Sequence, residues 1–336
     1  MLLRRNKGFI LIFTLWVLGF LTVLAAGVAS GIRQKIVLIQ KLDERSRMTC
    51  LLEASVKYAA SYVVHQLELA GQSYNSSIKM NLYNNPESFS QFDLAGDTAS
   101  ISYILPDQEE RFGVVDEERK ININVASISI LTRLIERVLA EKSDVAKKLA
   151  QNILDWHQFG ESELTGFFSD NYYDNLQYPY PKKEQPYETL DELLLVKGVT
   201  KDIYEKLISY VTIYGQGQVN INTAPLEVLY ALGLEDSLVE KIIEARQGQD
   251  KVEASSDDHV FLRTFDVATE VNTIIKLLPE EIAAIDGLNR QNLLTTNSYY
   301  FSIKPQAQLA HRSFIKNAYA IVSSRENRIV YWKERS

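Results

Sequence analysis

Residues Phe9 to Ile32 read FILIFTLWVLGFLTVLAAGVASGI, 24 residues without a charge, and the MLLRRNKG before them carries Arg4, Arg5 and Lys7. At 1.5 Å per residue such a helix is about 36 Å long, enough to cross a hydrocarbon core of about 30 Å. An ordinary secretory signal has an apolar core of about 7–15 residues, with the small-residue cut behind it. Here a small residue, Gly8, stands ahead of the core, so a cut after it leaves the whole apolar helix on the mature chain. Two alternatives stay open: a conventional cut at Gly27-Val28-Ala29, which loosely fits a small-x-small site, and a plain uncleaved anchor. The cations at the head of the helix favour a cytoplasmic N-terminus. Everything from Arg33 onward is then expected outside.

Lys7-Gly8-Phe9 at the start of the apolar run resembles the class III leader of type IV pilins and pseudopilins, which a prepilin peptidase cuts between Gly and a Phe-like residue. The resemblance implies a leader over residues 1–8, cleavage between Gly8 and Phe9, and N-methylation of Phe9.

With 336 residues, 46% apolar and 24% charged, the chain has material for a membrane helix and two compact domains. A formal charge of −7, with no long basic run after the leader, argues against nucleic acid, which needs concentrated cationic surface. The single cysteine, Cys50, excludes an intrachain disulfide and is expected to pack as a small residue on a helix.

Beyond the membrane segment, Ile32, Ile36, Ile39, Leu42, Leu51, Ala54, Tyr58, Tyr62 and His65 recur at helical spacing, with an interruption at Asp43 to Arg47. The spacing predicts one rod over residues 9–70, about 90 Å long, with residues 9–32 in the membrane. Gln72 to Asp93 reads as a loop. Alternation predicts strands at Thr98 to Ile104, Arg119 to Asn124, Tyr299 to Ile303, Phe314 to Ser323 and Arg328 to Trp332. Between the second and third of these the period is helical. The fold expected is α+β: a pilin-like head with a small antiparallel sheet, split into residues 71–125 and 291–336 by an inserted all-α domain over 126–290.

Inside the insert KINI-NVAS (120–127) is echoed by QVNI-NTAP (218–225), and each copy leads into a helix. Ser127 and Thr223 are expected to cap those helices, and Pro225 to sit in a first turn. A third unit, TLDELLLVKGVT (189–200), reads as helix, Gly hairpin and a second helix from about Lys201 to Tyr210. These units resemble helix-hairpin-helix or SAM-like modules, which commonly hold a nucleic-acid backbone. Here the hairpins Leu232-Gly233-Leu234-Glu235-Asp236 and Gly198-Val199-Thr200 lack the second Gly, and the first puts two carboxylates where a phosphate would sit. Packing, and not phosphate binding, is the expected role.

Taken in order, the leader, the long helix, the INxNxA start, Asp155-Trp156, a Tyr-rich loop, the LDELLLVKGVT and VNINTAP segments and a closing Val330-Tyr331-Trp332 resemble the K subunits of type II secretion, the largest minor pseudopilins. That resemblance implies a non-enzymatic subunit at the tip of a periplasmic pseudopilus. Its implied partners are the minor pseudopilins I, J and H, the major pseudopilin filament, the inner-membrane assembly platform and the prepilin peptidase. The fifth mature residue, Glu in most pilins, is Phe13 here. A tip subunit has no neighbour ahead of it to pair with a carboxylate in lipid, where an ionised group costs about 2.5–3.5 kcal/mol or more. The family's acidic loop after Asp-Trp is associated with calcium. In this chain the candidate ligands are Asp155, Glu161, Glu163, Asp170 and Asp174, with a solvated acidic loop ordered by tyrosines as the alternative. His65, His157, His259 and His311 form no metal or catalytic pattern, and no nucleophile or phosphate-loop motif is present. Two other functions stay open: a membrane-anchored DNA-binding protein, and a minor pilin of a type IV pilus.

Overall fold

The computed structural model describes residues 7–73, 82–94, 96–104, 109–157, 172–255, 257–310 and 314–335. Helix α1 (Lys7–Ser73) runs unbroken for 67 residues, through the expected interruption at Asp43 to Arg47. Every residue from Phe9 to Asp43 is exposed, and the charges end where packing starts, with Arg47 paired to Asp97 at 2.7 Å, so the helix is not broken there. Packing begins at Met48 and uses Leu51, Leu52, Ser55, Val56, Ala59 and Val63. The buried face is therefore rotated from the expected one. Tyr58 is 44% exposed, and Cys50 is exposed and not a packing residue, because a 100° step per residue turns it away from Leu51 and Leu52.

The buried half of α1 lies on one face of an eight-stranded antiparallel sheet. Its strands are β1 (Phe92–Leu94), β2 (Asp97–Ile104), β3 (Glu110–Phe112), β4 (Val115–Asp116), β9 (Tyr300–Ile303), β10 (Pro305–Gln308), β11 (Ile315–Ser323) and β12 (Arg328–Arg335). The main path is β1-β2-β10-β11-β9-β4, with β12 on β11 and β3 on β2. Ala99, Ala307 and Ala318 let the helix approach the sheet at Leu51 and Leu52, while Ile101, Phe301, Ile303 and Val322 fill the wider space under Val56, Ala59 and Val63. Loop Leu82-Tyr83 closes against the sheet so tightly that a Cβ on Gly113 would stand 2.5 Å from the Tyr83 carbonyl oxygen.

The reading of 72–93 as loop misses α2 (Pro86–Phe89), capped by the Asn85 side chain, and the first strand. The sequence pattern also misses β10, where Pro305 and Ala307 alternate to the buried side but a proline and an alanine make a weak strand signal. The strand expected at 119–124 shrinks to β5 (Ile121–Asn122).

Past β5 the chain is mostly helical. The elements are α3 (Ile128–Leu139), α4 (Ser143–His157), a 3-10 turn Leu190–Leu195, α5 (Lys201–Leu207) and β6 (Val211–Thr212), followed by β7 (Val219–Asn220), α6 (Leu226–Ala231), α7 (Asp236–Arg246), a 3-10 turn Thr264–Asp266, α8 (Val267–Ile274), α9 (Pro279–Arg290) and β8 (Leu294–Thr295). They share one core, from Ile121 to Leu294, separate from the cores beneath the sheet. β5 pairs with β6 and β7 with β8, both in parallel, so each half opens and closes on a two-residue ladder.

Candidate functional site

Three regions bear on function: the exposed half of α1, the root where the helical region joins the sheet, and the acidic loops of that region. On α1, Phe9 is 71% and Phe13 61% exposed, and the apolar window is wholly unburied by the rest of the chain. Among the described residues α1 is the one helix long and apolar enough to cross a membrane. Gly8, ahead of the expected cut, lies in the first turn of α1.

At the root, five consecutive charged residues, Asp116 to Lys120, are all buried. Each is matched. Asp116 Oδ2 accepts from Asn220 Nδ2 (3.1 Å), Thr223 Oγ1 (2.8 Å) and Ser298 Oγ (2.7 Å). Glu117 Oε1 meets Lys120 Nζ at 2.7 Å, and its Oε2 accepts from Thr212 Oγ1 at 2.7 Å. Glu118 accepts from the backbone N–H groups of Tyr299 (3.0 Å) and Tyr300 (3.2 Å). Burial nevertheless pushes the Glu118 carboxyl up to about 7. Arg119 reaches Glu253 at 3.3 Å. Backbone bonds complete the joint, from Glu117 N to Tyr300 O (2.8 Å) and from Asn220 N to Glu118 O (2.8 Å). The way into the helical region, its midpoint and the way out are thus tied at one place. An unpaired buried charge would be costly, and these bonds offset much of that cost, leaving Asp116 Oδ1 unmatched and the Glu118 carboxyl raised.

The two echoed segments repeat the same bonds. Asn124 N donates to Asn122 Oδ1 (2.9 Å), and Asn222 N to Asn220 Oδ1 (3.1 Å). The second Asn of each copy then holds a distant aromatic residue by both backbone groups. Asn124 takes Tyr187 N–H (2.7 Å) and gives to Tyr187 O (3.1 Å); Asn222 takes Phe261 N–H (2.8 Å) and gives to Phe261 O (2.9 Å). Ser127 caps α3 by accepting from Ile130 N. Thr223 does not cap: its hydroxyl is spent on Asp116, and Pro225 is itself the cap residue instead of a first-turn one.

Of the carboxylates singled out for a metal, Glu161, Glu163 and Asp170 lie outside the described residues. Asp155 is held by Lys182 at 3.3 Å, and Asp174 is exposed. A cation therefore already neutralises the half-buried Asp155. Trp156 is 3% exposed, stacked edge-on with Tyr173 and Tyr180, which makes it core. Phe167 and Phe168 also fall outside the described residues. Sequence reasoning missed Asp250, Asp257 and Asp258, whose ligand oxygens lie within 4.8 Å of one another. Asp257 accepts from Ser255 Oγ, Gln249 N and Asp250 N, which holds its carboxyl down at about 2. Asp258 is pushed up to about 6 by burial. These carboxylates fold their own loop: at Gly248, φ is +64° and a Cβ would stand 2.5 Å from the Asp257 carbonyl oxygen.

Two family models, both described as type II secretion system protein K, match residues 110–216 and 219–257. The type II secretion system protein K of Pectobacterium carotovorum subsp. carotovorum is 29% identical over 90 residues, a stretch covering 27% of this chain and 27% of that protein. A chain of the GspK-GspI-GspJ complex from the enterotoxigenic Escherichia coli type 2 secretion system shares the fold, with a TM-score of 0.55 and 16% identity over 87% of this chain and 99% of that one. The architecture shared is a long apolar N-terminal helix laid on an antiparallel sheet. Within residues 110–257 the chain is thus similar to the protein K subunits of type II secretion, and it shares its fold with one such chain.

Proposed function

We propose that this chain caps the pseudopilus of a type II secretion system as a non-enzymatic tip subunit. The observation that carries the proposal is the rooted insert: about 165 residues, 126–290, fixed to the sheet through the buried Asp116 to Lys120 joint. A mass of that size held rigidly on one head obstructs a further subunit stacked above it. On this reading the chain divides into a leader (1–8), the long helix (9–70, with 9–32 in the membrane), a head in two parts (71–125 and 291–336) and the insert (126–290). Cleavage falls between Gly8 and Phe9, which is then N-methylated, and Phe13 replaces the usual acidic residue because nothing stands ahead of it to pair with. The N-terminus faces the cytoplasm and the folded part the periplasm, in keeping with the leader cations.

The likeness to a chain of the GspK-GspI-GspJ complex supports pseudopilins I and J as partners. Pseudopilin H, the major filament, the assembly platform and the prepilin peptidase follow from the proposed role. Nucleic acid does not: residues 126–290 carry 16 Lys and Arg against 28 Asp and Glu, a surface that repels phosphate. Calcium in the Tyr-rich loop would draw on Asp155, Glu161, Glu163, Asp170 and Asp174, and binding there has to displace Lys182 from Asp155. Mass spectrometry of the mature protein tests the processing directly. A terminus at N-methylated Phe9 is expected, and a terminus near Ser30 overturns the reading.

A further inference from the structure

Between the outer face of the sheet and the helical region lies a cleft of about 510 Å³. Tyr319, Tyr331 and Ser302 form its sheet wall, and Tyr204, Tyr210 and Tyr214 the opposite one. Its walls cannot drift apart freely. The buried root closes one end, where Glu117 joins Thr212 to Lys120 and Tyr319. Another tie crosses the space: Lys333 Nζ meets Asp191 Oδ2 at 2.5 Å, and Tyr204 donates to the same carboxylate at 2.6 Å.

The chemistry of the walls is that of a protein-recognition surface. Tyr rings offer large, stiff, amphipathic contact area at low entropic cost. The hydroxyls of Tyr210, Tyr214 and Tyr331 make no hydrogen bond among the described residues, leaving donors without acceptors beside apolar Ile208, Ile213 and Ile321. Main-chain carbonyls are the acceptors that come evenly spaced and alternate with side chains able to fill the aromatic gaps. The volume lies within the range of preformed binding sites at domain boundaries. Of the lining cations, Lys120, Arg119 and Lys333 are paired with Glu117, Glu253 and Asp191, and Lys304 is engaged as well, so charge is not what the cleft selects.

We infer that this cleft binds an extended, uncharged polypeptide segment bearing aromatic or aliphatic side chains, with the three phenols hydrogen-bonded to its backbone carbonyls. The inference is independent of where the subunit sits in a fibre, so its failure leaves the tip reading intact.

A panel of blocked, fluorescein-labelled heptapeptides of pattern GSXGXGS, with X as Phe, Tyr, Trp or Leu, tests it by anisotropy on the full chain in detergent micelles. At least one peptide is expected to bind saturably, and GSGSGSG is not. Tyr331→Ala weakens binding about tenfold, as loss of a central aromatic contact does. Ser209→Arg, which projects into the cleft from an exposed position, weakens it similarly without touching the core. Tyr178→Ala, at a residue 79% exposed and outside the cleft, leaves binding unchanged. Three results overturn the inference: no saturable binding by any peptide, binding that both cleft variants leave intact, or N-acetyl-tyrosinamide competing as well as the best peptide, which would assign a small aromatic ligand.

Discussion

Glu118 is the residue on which folding and pH meet. Its carboxyl, raised to about 7 from an ordinary 4.5, favours the folded state most when protonated. Its contribution is therefore full below about 4.5 and is lost as the pH climbs to 7. Asp258, raised to about 6, acts in the same sense. Glu281 acts in the opposite sense: the Leu278 N–H and Lys241 hold its carboxyl low, and its contribution fades as the pH falls below its usual range. Thermal midpoints measured between pH 5 and 8 should fall as pH rises, and in Glu118→Gln that slope should flatten whatever the offset in stability. An unchanged slope would show that another group carries it. Ser127 as a cap could be read from the chain, since a hydroxyl before an apolar period has one good use. Thr223 could not, because Asp116, which claims it, lies 107 positions away.

Among the elements, the paired asparagines do the most with the least sequence. INxN is visible twice, but nothing near it names Tyr187 or Phe261, the backbones that Asn124 and Asn222 hold. Each clamp fixes the far end of a long loop just before a 3-10 turn. Asn222→Ala strips the donor and acceptor from Phe261, whose side chain is fully buried, and should cost about 2–4 kcal/mol in a denaturant titration. A loss below about 0.5 kcal/mol would mean that the loop is held by other contacts. Helix α1 was legible in existence and length because its apolar run is extreme, while its packed face was not. Ile32 to Leu42 share the helical period yet meet nothing in the chain, so periodicity alone set the face by residues that do not pack. Strand β10 was invisible for the converse reason: it is central, but one of its faces is polar.

At the scale of the molecule, an apolar helix and a bulky helical region sit on opposite sides of one sheet, the first exposed for 35 residues from Phe9 to Asp43 and the second locked by buried charge. The order of segments carried the family, because each is weak alone and their sequence is not. The lock was hidden: a run of Asp-Glu-Glu-Arg-Lys reads as a solvated turn until the two connections it joins are seen in space. The proposed capping role combines a helix that enters a fibre with a head that obstructs one, and so assigns the chain a terminal position. Electron microscopy of isolated pseudopili carrying a gold-labelled tag on this chain's C-terminus tests that position most directly. The account predicts label at one end of each fibre and none along the shaft, and label repeated along the shaft would contradict it.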